Sequence, residues 1–408
     1  MKAYYTAKWL ITGGPGGRIR DGGVLVDRGT IRWVGSDDDL PARLRRGSER
    51  VDLGSMTLLP GLVDSHVHLA LDGLPGAMDR MRALDDAPLR ALMFRNAAQL
   101  LAAGVTTARD LGAPGHLALH VRDALRAGRA PGPSLVVSGP PLTVPGGHCW
   151  FMGGACADEA ELRAAVRAQA ARGVDFIKVM ATGGALTGGS GPGEEQFGEA
   201  ELRAVVDEAT LHGLRVAAHA HGTSGIAHAL RAGVHTIEHC SFISPEGTIA
   251  PDLSLVRELA AAPVHVCPTI SRRFTERWDD RDDPRSTPVS ALPLLHREGV
   301  ALIAGTDAGT DGAPHPAYAD GLVGMARLGI PAADILHTAT AGAARALGLG
   351  AVTGRLAPGL RADLIAVDGD PLDDIAVLAA PRLVVARGRQ AVSTGTREGE
   401  GGLLPRPV

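Results

Sequence analysis

The sequence predicts an α/β protein in which a distorted TIM-type (β/α)8 barrel is joined to a small β-sandwich domain built from both chain ends. Three observations support this prediction. Eight short apolar runs alternate with amphipathic stretches of helical period in the middle of the 408-residue chain. Both ends carry short β-like runs separated by glycine and aspartate. Glycine also stands at many joints between a helical stretch and the next strand-like run.

The two chain ends are expected to form one β domain. Apolar runs at 24–26, 30–34 and 56–59 precede the central region, and similar runs return at 363–368 and 383–389. We therefore assign residues 1–58 and 349–395 to the small β domain and residues 59–348 to the catalytic barrel. The tail at 396–408 is rich in polar residues and glycine and is predicted to be disordered.

The central region is interpreted as eight consecutive βα units, which is typical of a TIM barrel. Gly104, Gly173, Gly213 and Gly233 follow helical stretches, where a left-handed cap is expected. The predicted strands are 62–68, 105–109, 135–138, 175–180, 215–219, 235–239, 264–268 and 301–307. The predicted helices include 159–171, 199–212, 225–232, 253–261, 293–298 and 332–347.

Composition argues against several functional classes. The net charge is only −4 and no basic or acidic block dominates, so nucleic acid and anionic membranes are not expected as partners. No apolar run reaches about eighteen residues, and the first residues lack a signal-peptide pattern. The four cysteines form no C-x-x-C pair and do not make a disulfide framework in a chain of this length, so a cytoplasmic setting is expected. A homo-oligomer is left open, because no interface signal decides it.

Two histidines lie at the end of the first predicted strand of the barrel. His66 and His68 are separated by one residue, and positions two apart in a strand project to the same face. Both imidazoles therefore reach one point, and neutral imidazole is a common ligand for zinc and related metals. Taken alone, such a pair is equally compatible with coincidence.

Four later predicted strands carry further chemistry-bearing residues: Lys178, His219, His239 and Asp307. The active site of such a barrel lies at the carboxyl ends of its strands. A histidine at position 219 is also compatible with a hydrogen-bonded core residue, and Asp307 with a helix cap. Lys178 is the most informative, because a lysine among Phe, Ile, Val and Met is costly to bury charged and its pKa falls. The joint occurrence of these residues favours a metal site.

The motifs in these strands resemble those of the amidohydrolase superfamily, in the subtype with a binuclear metal centre and a carboxylated lysine. The sequence is similar to the branch that holds Xaa-Pro and Xaa-Arg/Lys dipeptidases, ochratoxin-type amidases and, more distantly, imidazolonepropionase. The resemblance covers about residues 10–390. The matching motifs are PGLVDSHVH at 60–68, AGVTTARD at 103–110, IK at 177–178, HAHG at 219–222, IEH at 237–239 and GTDAG at 305–309.

This resemblance implies a complete ligand set for two divalent metal ions, with zinc as the default and manganese or cobalt as alternatives. His66, His68 and Asp307 would hold the first ion, and His219 and His239 the second. A carbamate formed from Lys178 and CO2, N6-carboxylysine, would bridge them. The two ions would share a bridging hydroxide as the nucleophile, and Asp307 would pass its proton to the leaving amine.

The loops after the strands contain candidate substrate contacts. His148 lies in a Gly-Gly-His segment resembling one of the family and is predicted to contact a carbonyl oxygen or carboxylate, with loop packing as the alternative. Trp150 is predicted to wall the pocket. His221 is predicted to bind substrate or to make a supporting hydrogen bond. His315, after the eighth predicted strand, is a further candidate.

The charged segment 271–284 after the seventh predicted strand has the length of a lid. Arg272 or Arg273 is predicted to bind a substrate carboxylate, because guanidinium offers bidentate geometry. A solvated loop with internal ion pairs is the alternative interpretation.

The leading functional prediction is a metal-dependent hydrolase that cleaves the amide bond of a dipeptide or an N-acyl amino acid. A cyclic-amide hydrolase or a deaminase of a nitrogen heterocycle uses the same water chemistry and is the second prediction. A non-catalytic barrel scaffold is the third. The full ligand set argues against it, because a scaffold has no need to keep six metal-site residues.

Overall fold

The computed structural model describes residues 2–14, 17–276 and 289–393. The tail predicted at 396–408 lies outside this range, and so does most of the predicted lid, from residue 277 onward.

Strands from both chain ends form one eight-stranded sheet. They are β1 (Lys2–Ile11), β2 (Arg18–Asp27), β3 (Thr30–Ser36), β4 (Glu49–Asp52), β5 (Thr57–Pro60), β13 (Leu364–Val367), β14 (Leu383–Ala386) and β15 (Arg389–Ser393). Their order is β15-β14-β13-β5-β1-β2-β3, with β4 paired to β1. The two ends meet where β13 pairs antiparallel with β5, for example Ile365 opposite Leu59. The sheet has a hydrophobic core of its own, drawn from both ends of the chain. The predicted sandwich and the domain boundaries stay predictions.

The middle of the chain contains two parallel sheets. The first joins β6 (Leu62–Val67), β7 (Val105–Asp110) and β8 (Ser134–Val137), and the second joins β9 (Phe176–Met180), β10 (Arg215–Gly222), β11 (Thr236–Ile243) and β12 (His265–Cys267). All of these strands begin within a few residues of their predicted positions. Their apolar side chains, with those of the surrounding helices, make the largest core.

The eighth predicted strand, 301–307, is not a regular strand. It makes single bridges from Leu302 to Val266 and from Ala308 to Val67. The run lies between β12 and β6, because the Ile303 amide donates to the Val266 carbonyl and the Ser65 amide donates to the Ala304 carbonyl. Asp307, whose φ of +59° departs from extended geometry, separates these contacts from the bridge of Ala308 to Val67.

Helices pack around the two parallel sheets, and the glycines predicted to cap them, Gly104, Gly173, Gly213 and Gly233, all have positive φ, which confirms that interpretation. The predicted helix 332–347 is wrong as a single element: Thr340, with φ −138° and ψ −97°, interrupts it. The helices are α1 (Ala42–Arg45), α2 (Ala77–Ala83), α3 (Asp86–Ala102), α4 (Leu117–Arg126), α5 (Glu159–Ala171), α6 (Glu199–Leu211), α7 (Thr223–Ala232), α8 (Leu253–Ala261), α9 (Arg272–Glu276), α10 (Leu292–Arg297), α11 (Tyr318–Arg327), α12 (Ala332–Thr338) and α13 (Ala341–Ala346).

Within the described ranges, none of these helices combines the length and the apolar character that crossing a membrane requires.

Candidate active site

Three side chains converge where β6 ends beside the irregular run 301–307. His66 Nε2 lies 3.3 Å from His68 Nε2, and Asp307 Oδ1 lies 3.3 Å from the first nitrogen and 3.2 Å from the second. The alternation of side chains along β6 brings both imidazoles to one side, as the sequence predicted. Asp307 reaches them because the Asp307 amide donates to the His66 carbonyl.

Two buried charged residues support His66 at its second ring nitrogen, Nδ1. His66 Nδ1 is 2.8 Å from Glu238 Oε2, and the other oxygen of Glu238 accepts from Arg109 at 2.8 Å. Arg109 also donates to the Ser65 carbonyl and to the Thr236 hydroxyl, and its guanidinium is fully buried over the ring of Phe176. Burial raises the pKa of Glu238, but the opposing effect of Arg109 and His66 is larger. The net pKa is lowered, so the carboxylate is charged.

Arg109 and Glu238 have no predicted role, although both belong to the motifs AGVTTARD and IEH. A charged residue inside an apolar strand was the signal that singled out Lys178, and the same signal is present at both positions. They form a support for His66 that fixes its ring and leaves Nε2 facing Asp307 and His68.

Lys178 lies in the middle of β9, not at its end, and is 1% exposed. Its Nζ has no hydrogen-bond partner among the described residues. Burial lowers the pKa of the amine to about 8, so an appreciable fraction is neutral near physiological pH. A buried amine without a partner is costly, and this position therefore calls for a further group at Nζ.

A second group of donors comprises His219 and His221 on β10 and His239 on β11, with ring nitrogens within 4.8 Å of one another. Both strands run past their predicted ends at 219 and 239, so these histidines are internal to them. His219 Nε2 lies 3.0 Å from the Gly183 carbonyl, and His239 Nδ1 lies 2.8 Å from the Thr269 hydroxyl. His221 stacks on His239 with a centroid distance of 4.3 Å.

Most of these imidazoles are neutral. Burial lowers the pKa of His66 to about 4, and it lowers those of His219 and His239 well below the ordinary value. At His68 burial also acts to lower the pKa, but the Asp307 carboxylate outweighs it and the pKa is raised. A neutral imidazole has a lone pair available to a cation, and at His68 a cation would displace a proton.

The residues present include candidate ligand groups for divalent metal ions. Donors bound to zinc at about 2.0–2.1 Å in a tetrahedron lie about 3.3–3.4 Å apart, which matches the spacing of the His66, His68 and Asp307 atoms. The Lys178 amine, which has no hydrogen-bond partner among the described residues, lines the same cavity as both donor groups. His221 Nδ1 lies 3.0 Å from the Ser241 hydroxyl, and both of its predicted roles, substrate contact and supporting hydrogen bond, stay predictions.

These groups open into a cavity of about 330 Å³. His148 lies in its wall, with its ring 4.7 Å from that of His219, and Arg273 lies in the wall as well. The remaining wall is largely apolar, with contributions from Met78, Met152, Met180, Leu186, Ile243 and Phe274. Such a cavity binds a small molecule through apolar contact and a few polar groups that set its orientation.

Three predicted substrate contacts lie outside this lining. Trp150 is 45% exposed and packs edge-on against Phe151, so Cys149 and Met152 take the wall position predicted for it. Arg272 is half exposed and pairs with Asp320 at 3.4 Å. His315 is buried next to α11 and does not reach the cavity.

A close contact between Gly184 and His148 yields a testable prediction. A Cβ at position 184 would lie 2.5 Å from the His148 ring. We expect Gly184→Ala to displace His148 and to lower kcat/KM by about 10- to 100-fold, because misplacement by about 1 Å has effects of this size. Gly188→Ala is the matched control, since no atom lies within 4 Å of its Cβ position. Equal activities of the two variants would contradict a role for His148.

Comparison with known proteins defines the family. The sequence profile of the amidohydrolase family matches residues 57–391. The chain belongs to the amidohydrolase family. The match includes all the donor residues described above, and it makes this protein a hydrolase acting on C–N bonds.

The relatives of this amidohydrolase include three characterised groups. It is 28% identical over 405 residues to ochratoxinase from Aspergillus niger, covering 92% of this chain and 83% of that protein. It is 27% identical over 386 residues to imidazolonepropionase from Paracoccus denitrificans, covering 86% and 89%. A crystal structure of a Xaa-Pro dipeptidase with bound methionine in the active site superposes with a TM-score of 0.84 at 28% identity, covering 96% of this chain and 99% of that one.

Proposed function

We propose that this amidohydrolase hydrolyses the amide bond of a dipeptide or an N-acyl amino acid with the help of two divalent metal ions, zinc by default. His66, His68 and Asp307 would hold one ion, and His219 and His239 the other. The observation that carries the proposal is the convergence of these donors on one cavity, together with a Lys178 amine that has no hydrogen-bond partner among the described residues.

Lys178 is proposed to carry a carbamate. The neutral Nζ adds to CO2, a new N–C bond forms, and one proton leaves to solvent. The product replaces a buried amine by an anion with two oxygen donors, which suits a position between two cation sites. Burial of Lys178 favours this reaction, because it lowers the pKa of the amine to about 8.

The metal ions would activate water and polarise the substrate carbonyl. Asp307 Oδ1, which lies against both His66 and His68, accepts the proton of the attacking water and passes it to the leaving nitrogen. His148 contacts the substrate at the cavity wall, and it is available as a neutral imidazole because burial lowers its pKa to about 4. The apolar wall excludes water from the reacting bond.

Several further points belong to this proposal. The run 301–307 between β12 and β6 supports a closed, distorted barrel, with the eight-stranded sheet as a separate small domain.

Cys149, Cys156, Cys240 and Cys267 are all free and buried, which supports a cytoplasmic setting. The relatives named as a Xaa-Pro dipeptidase and ochratoxinase support an acyclic amide. The imidazolonepropionase relative keeps the cyclic-amide alternative in the test.

The test is to measure bound metal by plasma mass spectrometry and to assay a library of dipeptides, N-acyl amino acids, cyclic amides and aminated heterocycles. We expect about two ions per chain, as in two-metal hydrolases. A chelator is expected to abolish activity, and zinc, manganese or cobalt to restore it. Release of an amine and an acid supports the proposal. A ring-opened acid or ammonia as the product would replace it by one of the alternatives, and metal-free protein without any activity would support the scaffold.

A further inference from the structure

We propose that Arg273 binds the free carboxylate of the substrate, and that the preferred substrates are N-acyl amino acids and dipeptides whose carboxyl-terminal residue is apolar. This inference rests on the proposed amide hydrolysis. It concerns a part of the cavity that takes no part in holding metal.

Two neighbouring arginines on α9 face different surroundings. Arg273 is partly buried in the cavity wall, with Asp307, Thr310 and Phe274 among its neighbours in the lining. Arg272 is half exposed and lies 3.4 Å from Asp320. The structure thus separates two residues that the sequence left equivalent, because consecutive residues of a helix point in different directions.

The stem of Arg273 is held from two sides. On one side lies Gly312, where an added Cβ atom would be 3.4–3.6 Å from the Cβ, Cγ and Cδ atoms of Arg273. Its guanidinium lies 5.1 Å from the centroid of the Phe274 ring. A guanidinium held in this way loses less side-chain entropy when it binds an anion, so the position is prepared for a ligand.

In the described ranges Arg273 forms no ion pair, and Asp307, the carboxylate on which its charge acts, is engaged by His66 and His68. A substrate carboxylate would satisfy this charge with two parallel hydrogen bonds.

The rest of the lining indicates the side chain that accompanies the carboxylate. Asp307 is the only acidic residue among the described residues of the lining, and the donor cluster engages it. A basic substrate side chain would therefore lack a partner. Apolar side chains would contact Met78, Met152, Met180, Leu186, Ile243 and Phe274.

The experiment compares the zinc-loaded enzyme and its Arg273→Met and Arg272→Met variants on N-acetyl-leucine and N-acetyl-leucinamide, which differ only at the carboxylate. We expect wild type and Arg272→Met to prefer the acid by about 100-fold, the effect of a charge-assisted hydrogen-bonded pair. Arg273→Met should lose most of this preference, mainly through KM, and Arg273→Lys should retain part of it. N-acetyl-leucine should exceed N-acetyl-arginine by at least about 10-fold in wild type.

A binding measurement tests the role of Arg273 without requiring the enzyme to hydrolyse either compound. Thermal unfolding of the three proteins with each compound reports ligand binding even if the wild type hydrolyses neither one, an outcome that would reject the proposed amide hydrolysis alone. Stabilisation by the acid that disappears in Arg273→Met, but not in Arg272→Met, supports the inference. The inference is overturned if the preference for the acid over the amide survives in Arg273→Met or vanishes in Arg272→Met. It is also overturned if N-acetyl-arginine binds better than N-acetyl-leucine.

Discussion

Lys178→Ala is expected to lower kcat/KM by about 1,000-fold or more and to reduce the bound metal from about two ions per chain to one or fewer. The physical reason is the proposed carbamate: Lys178 is the only lysine among the described residues that line the cavity, and both donor groups line the same cavity. Without it the carboxylate of Asp307 alone would balance the charge of two cations. Metal content by plasma mass spectrometry and steady-state kinetics measure both effects.

Val179→Ala is the matched control for Lys178→Ala. Val179 is the next residue of β9, is equally buried, and packs in the core on the other face of the strand. It should lower stability by the ordinary cost of a small core cavity and leave the metal content unchanged. The carbamate itself can be observed by carbon-13 NMR after equilibration with labelled bicarbonate. Retention of full metal and activity in Lys178→Ala would reject the bridging role.

Arg109→Met is expected to destabilise the protein by about 3–5 kcal/mol, because it leaves a buried charge without its partner. Glu238 is fully buried, and Arg109 is its only guanidinium partner among the described residues. Urea unfolding measures this loss of stability. Because Glu238 also engages His66 Nδ1, the folded variant should bind metal about 10- to 100-fold more weakly.

The double variant Arg109→Met with Glu238→Gln tests the origin of this effect. Removing both charges should recover part of the stability that Arg109→Met loses, since the amide has a smaller desolvation cost than the carboxylate. Additive losses would show that Arg109 acts through packing on Phe176 instead of through Glu238. A loss below about 1 kcal/mol for Arg109→Met would contradict a charge network altogether.

A large part of the donor arrangement follows from local rules. Side-chain alternation places His66 beside His68 and His219 beside His221. Lys178 is buried because it belongs to the apolar strand β9, all of whose residues are buried. The glycine caps and most helix positions follow from periodicity and from the need for positive φ. For this reason the sequence alone was sufficient to predict the parallel strands, most of the helices and the six candidate metal-site residues.

Only the tertiary structure decided the features that depend on contacts between distant segments. Arg109 and Glu238 are 129 residues apart, and nothing in either strand specifies that they pair. The different surroundings of Arg273 and Arg272, and the outward position of Trp150, depend on how short helical turns pack against the rest of the described chain. Local periodicity determines which residues share a face. Which face meets the cavity is set by packing across the whole chain, because loop and helix-end orientations have no period of their own.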